Sequence, residues 1–151
     1  MSTLVFRKAT DEDIDEINQL QVEIFNGEQN IPPEEIPLSG KAVPQWWCAL
    51  QNGSVVGAVA AWQEHDQTHW GRFITRPDCR GMQIGTRLAR FSFDELFSQQ
   101  IEEVYMDARD ATVKIICRLG GQIIGEPYAF FEGTVTPVVL RKEDYLKNVE
   151  A

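Results

Sequence analysis

The sequence predicts one domain of the mixed α/β class, built on a single sheet. Its 151 residues, 43% hydrophobic and 25% charged, have the size and composition of one soluble domain with a substantial core. Asn52-Gly53 between two apolar runs is a strong hairpin signal. In the second half, short β-like runs alternate with amphipathic helical runs, which is typical of a sheet with helices packed on it.

The first elements are a strand and a capped helix. Leu4–Ala9 alternates apolar and polar residues, as an edge-type strand does. Thr10 and Asp13 form a capping box, in which the hydroxyl and the carboxylate meet unpaired N–H groups of the helix. Helical spacing predicts a helix to about Phe25 from Ile14, Ile17, Leu20, Ile24 and Phe25. The long stretch Asn26–Pro44, rich in Pro, Gly and acidic residues, favours a lid or substrate loop over a plain linker.

Two hairpins come next. Gln45–Leu50 and Ser54–Ala61 flank Asn52-Gly53 and form the first of them. Trp62–Trp70 is polar and aromatic, which predicts the turn of a second hairpin leading into the strand Gly71–Thr75.

The second half of the chain supplies the remaining elements. A helix is predicted from about Ile84 to Gln99, followed by the short buried strand Val104–Ala108. Ala111–Leu119 is a short helix that Gly120-Gly121 ends as a C-cap. Two further strands, Gln122–Ile124 and Thr134–Leu140, complete the sheet.

Charge and composition limit the classes of partner. The formal net charge of −9 argues against nucleic acid, because phosphate binding depends on clustered Lys and Arg, and favours a cationic partner or substrate. No apolar run approaches the roughly 20 residues that span a membrane. The N-terminus lacks the pattern of a signal peptide, so we expect a cytoplasmic protein without a membrane partner. Cys48, Cys79 and Cys117 are too widely spaced for a disulfide framework.

A metal site is not predicted. His65 and His69 have the i, i+4 spacing of a zinc-binding helix, but Asp66 stands where the metalloprotease motif needs a glutamate, and no third ligand follows. Polar residues around a turn are the better interpretation of this pair.

The stretch Thr75–Leu88 has the clearest chemical meaning. A turn with Gly81 and Gly85 opens a helix, so unpaired N–H groups and the helix dipole converge on a point where a phosphate could bind. Arg80 and Arg87 add cationic donors. A nucleoside-triphosphate loop would need a Lys-Ser/Thr pair, and a dinucleotide fingerprint would need a third glycine. On this segment alone, a plain strand-to-helix turn with nothing bound remains an alternative.

Four stretches together resemble the GNAT N-acyltransferases, a family of acetyl-CoA-dependent enzymes. They are Val5–Asp13, Ala49–Gly57, Arg118-Leu119-Gly120 and Arg80–Gly85. The last matches an Arg/Gln-x-x-Gly-x-Gly/Ala pyrophosphate loop except that Gln83 replaces its first glycine. The resemblance implies one domain over residues 1–151, with a central mixed twisted β-sheet of six to seven strands flanked by about four helices.

Three shorter stretches are similar to the ElaA-like branch of that family. Glu23–Glu34 matches a Glu-x-Phe-x-x-Glu-Gln-x-Ile-Pro signature, and Asp107–Arg109 and Gly125–Tyr128 fit the same branch.

The resemblance implies an acetyl-CoA site without a metal. Backbone N–H groups of Gly81, Gln83, Gly85 and their neighbours would hold the pyrophosphate. The end of the central strand would pair with the pantetheine like an added strand, and an N–H near Phe73 or Ile74 would polarise the thioester carbonyl. The full implied set is Phe73, Ile74, Thr75, Arg80, Gly81, Met82, Gln83, Ile84, Gly85 and Thr86.

The catalytic groups are harder to assign. For the base that deprotonates the amine, Glu64 is the first candidate, His69 the second and Glu28 the third, each with an exposed polar residue near a turn as the alternative. Ile116 stands where many relatives have a tyrosine that protonates the leaving thiolate. Tyr128 and Cys117 are candidate replacements, although packing roles for both, with Cys117 buried on its helix, or protonation by solvent are alternatives.

The predicted function is therefore transfer of an acetyl group from acetyl-CoA to a primary amine of a small molecule. A non-catalytic acyl-CoA-binding module and a transferase of longer acyl chains are the alternatives. These residues do not identify the acceptor. The oligomeric state also stays open, and the resemblance implies a homodimer.

Overall fold

The computed structural model of the chain describes residues 3–29, 31, 44–79, 83–131 and 133–149, without the side chains of residues 28, 29 and 149. The strands in these ranges are β1 Leu4–Lys8, β2 Gln45–Gln51, β3 Ser54–Glu64, β4 Gln67–Thr75, β5 Glu103–Ala108, β6 Gln122–Ile123, β7 Tyr128–Ala129 and β8 Thr134–Arg141. The helices are α1 Asp11–Gln29, α2 Ile84–Phe97, α3 Asp110–Arg118 and α4 Lys142–Val149, with a 3₁₀ turn at Pro77–Cys79. Most of the predicted substrate loop, Asn26–Pro44, and the loop residues Arg80, Gly81 and Met82 lie outside the described part.

The strands form a mixed sheet in the order β1-β2-β3-β4-β5-β8-β6, with β7 paired to β8. All neighbours are antiparallel except β4 and β5. This parallel pair is short, because its register covers only Thr68 opposite Val104 and His69 opposite Tyr105. The predicted fold class is confirmed, and the splayed β4–β5 pair creates an opening within the sheet.

Apolar residues cover both faces of the sheet. On one face α1 buries Ile17, Leu20 and Ile24 against a cluster that includes Trp46, Cys48 and Ala58. On the other face α2 and α4 close over a larger cluster that includes Trp47, Trp70, Leu88, Phe93, Leu96 and Tyr145. The ring centroids of Trp70 and Phe93 lie 4.9 Å apart, so the central strand and α2 are joined by aromatic packing.

The start of α1 is held as the capping box predicts, with one difference. The Asp13 carboxylate accepts the Thr10 backbone N–H at 2.9 Å, but the Thr10 hydroxyl lies 3.1 Å from the same carboxylate and donates to it. Arg7 of β1 adds two contacts to Asp13, at 2.6 and 3.1 Å. The helix also runs to Gln29 rather than Phe25, because its last turn is polar but still contains good helix formers.

The second hairpin differs from its prediction. The two strands continue to Glu64 and from Gln67, so the turn is only His65-Asp66, both with positive φ angles of 52° and 60°. Polar residues within Trp62–Trp70 resemble a loop in sequence, but Trp62 pairs with His69 across the strands, and their rings stack at 6.1 Å. His65 and His69 therefore share no helix, and the described residues contain no cluster suited to a metal ion.

Two elements were absent from the sequence-based assignment. The short strand β7 lies in the stretch around Pro127 that looked irregular. Helix α4 is short and polar, and Tyr145 attaches it to α2, with its hydroxyl 2.6 Å from Asp94 Oδ1. None of the helices in the described ranges is long and apolar enough to cross a membrane.

Candidate active site

A cleft of about 520 Å³ opens where β4, α2 and α3 meet. Its walls are mostly apolar, with a few polar groups from the end of β4 and the start of α2. The lining residues are Ile24, Phe25, Phe73, Ile74, Thr75, Gln83, Ile84, Gly85, Thr86, Arg109, Ala111, Thr112 and Ile115. A large apolar pocket with a few convergent polar groups is the usual form of a small-molecule site.

A β-bulge shapes the β4 wall of this cleft. The register with β3 shifts between Ala58 and Ala60, and Arg72 opposite the shift has a left-handed φ of 56°. Gln21, buried on α1, donates from Nε2 to the Arg72 carbonyl at 2.7 Å and holds the bulge in place. The register with β5 ends at His69, so β5 does not pair with the backbone of the last residues of β4. This edge of β4 is available to an extended ligand.

The start of α2 forms the anion-attracting end of the cleft. Gln83 caps the helix with φ 58° and ψ 20°, and its side chain makes no capping hydrogen bond. The first turn contains no acidic residue, so no carboxylate opposes the positive end of the helix dipole. The first N–H groups of α2 therefore lack a side-chain cap and can serve a phosphate.

Gly85 is tightly confined in this first turn. A Cβ added there would lie 3.1 Å from Phe73 Cζ and 3.3 Å from Thr75 Oγ1. The absence of a side chain thus lets the helix start approach the end of β4 closely.

Most of the cofactor residues implied by the resemblance meet at this cleft. Those lining it are Phe73, Ile74, Thr75, Gln83, Ile84, Gly85 and Thr86. Arg80, Gly81 and Met82 lie outside the described residues. Their predicted roles in binding the cofactor are taken up below as a proposal.

A smaller cavity of about 90 Å³ continues from the cleft into the gap between β4 and β5. Phe25, Phe73, Arg109 and Thr112 line both spaces. The small cavity also contains Arg72 and Asp107, and burial lowers the pKa of both arginine guanidiniums.

Tyr128 lies beside this small cavity. Burial, followed by the charge of the nearby Asp107 carboxylate, raises the pKa of its phenol. The predicted acid candidate is thus close to the gap between the strands, on β7, with 45% of its surface exposed.

The structure does not bring the two other catalytic candidates to the cleft. Glu64 pairs with Gln67 at the opposite end of β4 from Phe73, about 20 Å away at about 3.3 Å per strand residue. Its carboxylate instead accepts the Trp62 indole N–H at 3.3 Å. His69 lies about 13 Å from Phe73 along the strand, between the rings of Trp62 and Tyr105. The side chain of Glu28 lies outside the described set.

Helix α3 contributes different residues from those expected. Ile116 is fully buried in the core and does not line the cleft, while Ala111, Thr112 and Ile115 do. The packing interpretation of Cys117 as a buried residue is wrong, because its side chain is exposed. It points away because it lies one helical step beyond the buried Ile116.

Sequence reasoning missed the site roles of Arg72, Asp107, Arg109 and Thr112. In the sequence, Asp107 and Arg109 support only the resemblance to the ElaA-like branch. Their position was an available signal, because polar residues at the carboxyl end of a parallel strand lie where ligands bind in such sheets.

The fold and the cleft together are those of the acetyltransferase class. The model of the acetyltransferase (GNAT) family matches residues 14–120, and the chain belongs to that family. Among curated proteins, none matches the sequence significantly.

Solved structures share the fold at low sequence identity. Escherichia coli ElaA is 19% identical with a TM-score of 0.77, over 92% of this chain and 99% of that one. A putative N-acetyltransferase from Lactobacillus plantarum is 15% identical with a TM-score of 0.76, over 93% and 97%. Spermidine N-acetyltransferase from Vibrio cholerae, solved with CoA and spermine, is 14% identical with a TM-score of 0.73, over 95% and 98%. At such identities these structures establish the fold, and the ElaA-like branch stays a prediction.

Proposed function

We propose that the protein transfers an acetyl group from acetyl-CoA to the primary amine of a small molecule. The observation that carries this proposal is the convergence of the uncapped start of α2 and the end of β4, beyond its register with β5, on one cleft in a chain of the GNAT family. The first suits a pyrophosphate and the second suits an extended pantetheine.

The residues at the cleft fit this co-substrate. Backbone N–H groups of Gln83, Gly85 and Thr86 would receive the pyrophosphate, with Arg80, Gly81 and Met82 as further members by resemblance. Ile74 and Thr75 would pair with the pantetheine amides. Acetyl-CoA supplies an acyl group on a thiol that is a good leaving group, with a pKa near about 8.5.

The remaining chemistry falls to few protein groups. A backbone N–H at Phe73 or Ile74 would stabilise the negative charge that develops on the carbonyl oxygen. The amine is cationic near neutral pH and must lose a proton before its nitrogen attacks. We assign this proton to Asp107, directly or through water, because Asp107 lines the cavity continuous with the cleft, whereas Glu64 and His69 lie farther along β4.

Tyr128 is the proposed acid. Its raised pKa keeps the phenol protonated near neutral pH, so it can return a proton to the thiolate when the carbon–sulfur bond breaks. Asp107 lies near Tyr128, so the proton taken from the amine and the proton given to the thiolate would pass between neighbouring groups.

Calorimetric titration with acetyl-CoA and with CoA tests the proposal, using Gly85→Asp and the control Gly27→Asp. The aspartate at residue 85 collides with Phe73 and Thr75 and places negative charge at the helix start. We expect at least a tenfold weaker affinity, since the combined effect exceeds about 1.4 kcal/mol. A Cβ at Gly27 meets nothing within 4 Å, so that variant should bind like the wild type.

Release of the CoA thiol in the presence of amines then separates an enzyme from a binding module. Amine-dependent release supports the transferase. Binding of acetyl-CoA without release for any amine would instead favour the non-catalytic module, and equal affinities of wild type and Gly85→Asp would remove the assigned cofactor site.

A further inference from the structure

Arg109 has no anionic partner among the residues that the structure describes. Both terminal nitrogens of its guanidinium are buried, and neither has a hydrogen-bond partner within the described ranges. The guanidinium carbon lies 5.3 Å from the ring centroid of Phe130, a cation–π contact that attracts the guanidinium but supplies no counter-charge. A Cβ at Gly133 would lie 2.8 Å from Nη1, so the glycine lets the backbone close tightly over the group.

Folding alone gives no reason for this arrangement. A guanidinium stays charged in proteins, and a buried unpaired charge is costly. Burial indeed lowers the pKa of Arg109. An unsatisfied buried polar group of this kind needs an explanation, and a missing ligand is one of the few available.

The surroundings of Arg109 indicate where that ligand lies. Arg109 lines both the main cleft and the small cavity between β4 and β5. The small cavity also receives Arg72, whose guanidinium is desolvated as well. Its one acidic lining residue in the described part is Asp107, which lies near Tyr128. The described lining therefore holds two guanidiniums and one carboxylate, although the chain has a net charge of −9.

We propose that Arg109 binds a carboxylate of the acceptor, so that the acceptor is an amino acid or another small amine that also bears a carboxylate. This inference rests on the transferase function proposed above. The flat fork of a guanidinium matches a carboxylate with two parallel hydrogen bonds. A volume of about 90 Å³ admits a carboxylate with a few carbon atoms.

The two ends of such an acceptor find opposite charges. Arg109 faces its carboxylate, and Asp107, two residues earlier at the end of β5, faces its ammonium. Arg109 is thus a specificity residue, while Asp107 handles the proton that the amine loses. Arg109 and Phe73 line both the cleft and this cavity, so the cavity lies next to the proposed position of the thioester.

The test compares acceptors that differ only in the carboxylate. CoA release is measured with glycine against glycinamide and with β-alanine against its amide. We expect kcat/KM to be about 10- to 100-fold higher for the carboxylates, mainly through a lower KM. A pair of charge-assisted hydrogen bonds provides a gain in affinity of this size. Arg109→Met should reduce the preference to less than about threefold and Arg109→Lys should keep part of it, because lysine retains the charge but not the fork.

Two controls make the result specific. Arg118→Met, an exposed arginine on the same helix, should retain the wild-type preference. The Kd for acetyl-CoA should be the same in all variants. The melting temperature of Arg109→Met should not fall, because the change removes an unpaired buried charge. A lower melting temperature with an unchanged preference would assign Arg109 a purely structural role and overturn the inference.

Other outcomes also decide the question. Equal turnover of carboxylates and amides, or a preference for phosphoethanolamine over β-alanine, would overturn the carboxylate assignment while leaving the transferase intact. If acetyl-CoA fails to bind, the proposed function fails. The carboxylate site is then judged by whether glycine or β-alanine at millimolar concentration raises the melting temperature of wild type but not of Arg109→Met. Absence of that shift would overturn it.

Discussion

Asp13 offers a sharp test of how β1 and α1 are joined. Its side chain is only 11% exposed and accepts four hydrogen bonds from two residues, the Thr10 N–H and hydroxyl and the Arg7 guanidinium. The Arg7 side chain is 39% exposed, so solvent screening limits that pair to roughly 0.5–1 kcal/mol. The capping contact at the helix start adds about 1 kcal/mol. Asp13→Asn should therefore cost about 2 kcal/mol.

The assay is thermal and urea unfolding at several pH values. In a domain of this size about 2 kcal/mol corresponds to a fall in melting temperature of about 4–8 °C. The hydrogen bonds from Arg7, followed by those from Thr10, lower the pKa of Asp13 against its burial. A lowered folded-state pKa gives stability that is present above the unfolded pKa of about 3.9 and is lost as pH falls through the folded value. The difference between wild type and variant should be full at pH 7 and 5 and should shrink below pH 4.

Asp15→Asn is the matched control. Asp15 is exposed on the same helix, so its loss should change stability by less than about 0.5 kcal/mol. An Asp13→Asn difference below about 0.5 kcal/mol at pH 7, or one that is equally large at pH 3, would refute the reasoning.

Two further predictions concern the Tyr145 hydroxyl and the Asp107 carboxylate. Tyr145→Phe removes the hydroxyl that lies 2.6 Å from Asp94 and 3.1 Å from the Arg90 carbonyl, and should cost about 1–2 kcal/mol in urea unfolding. Burial raises the pKa of Tyr145, so the stability that its hydroxyl contributes is complete below pH 10 and should diminish only as the pH rises further. Equal stability of wild type and Tyr145→Phe at neutral pH would contradict this prediction. Asp107→Asn should lower kcat by about 10²-fold with an unchanged Kd for acetyl-CoA, whereas near-normal turnover would exclude Asp107 as the base.

The fold was largely predictable because its signals are local. The Asn52-Gly53 turn, the capping residues before α1 and the C-cap at Gly120, where φ is +109°, each specify a boundary through a few neighbouring residues. The second hairpin was read wrongly because cross-strand pairing of Trp62 with His69 stabilises strands whose own residues resemble a loop. Helix α4 was missed because Tyr145 packs against a distant part of the chain, which no local pattern records.

The site was only half predictable for the same reason. The helix start at Gln83–Thr86 carries its chemistry in consecutive residues, so the sequence indicates an anion site there. The positions of the proposed catalytic residues depend on where β4 and β5 separate. That point is set by a register of only two residue pairs between the strands, which the sequence does not show. Glu64 is the last residue of β3, but that end of the strand lies far from the cleft. Asp107 lies near the end of β5 that opens onto the cavity beside the cleft.

Net charge was the weakest guide to the acceptor. A total of −9 favoured a cationic substrate, yet the described lining of the small cavity holds two arginines and one aspartate. Exposed charges farther away than the Debye length of about 8 Å are screened, while charges inside a desolvated cavity are not. On the proposal above, the acceptor meets Arg72, Arg109 and Asp107 at close range, so these residues bear on its chemistry more directly than the total charge does. For this chain, acceptor chemistry has to be argued from the gap between β4 and β5.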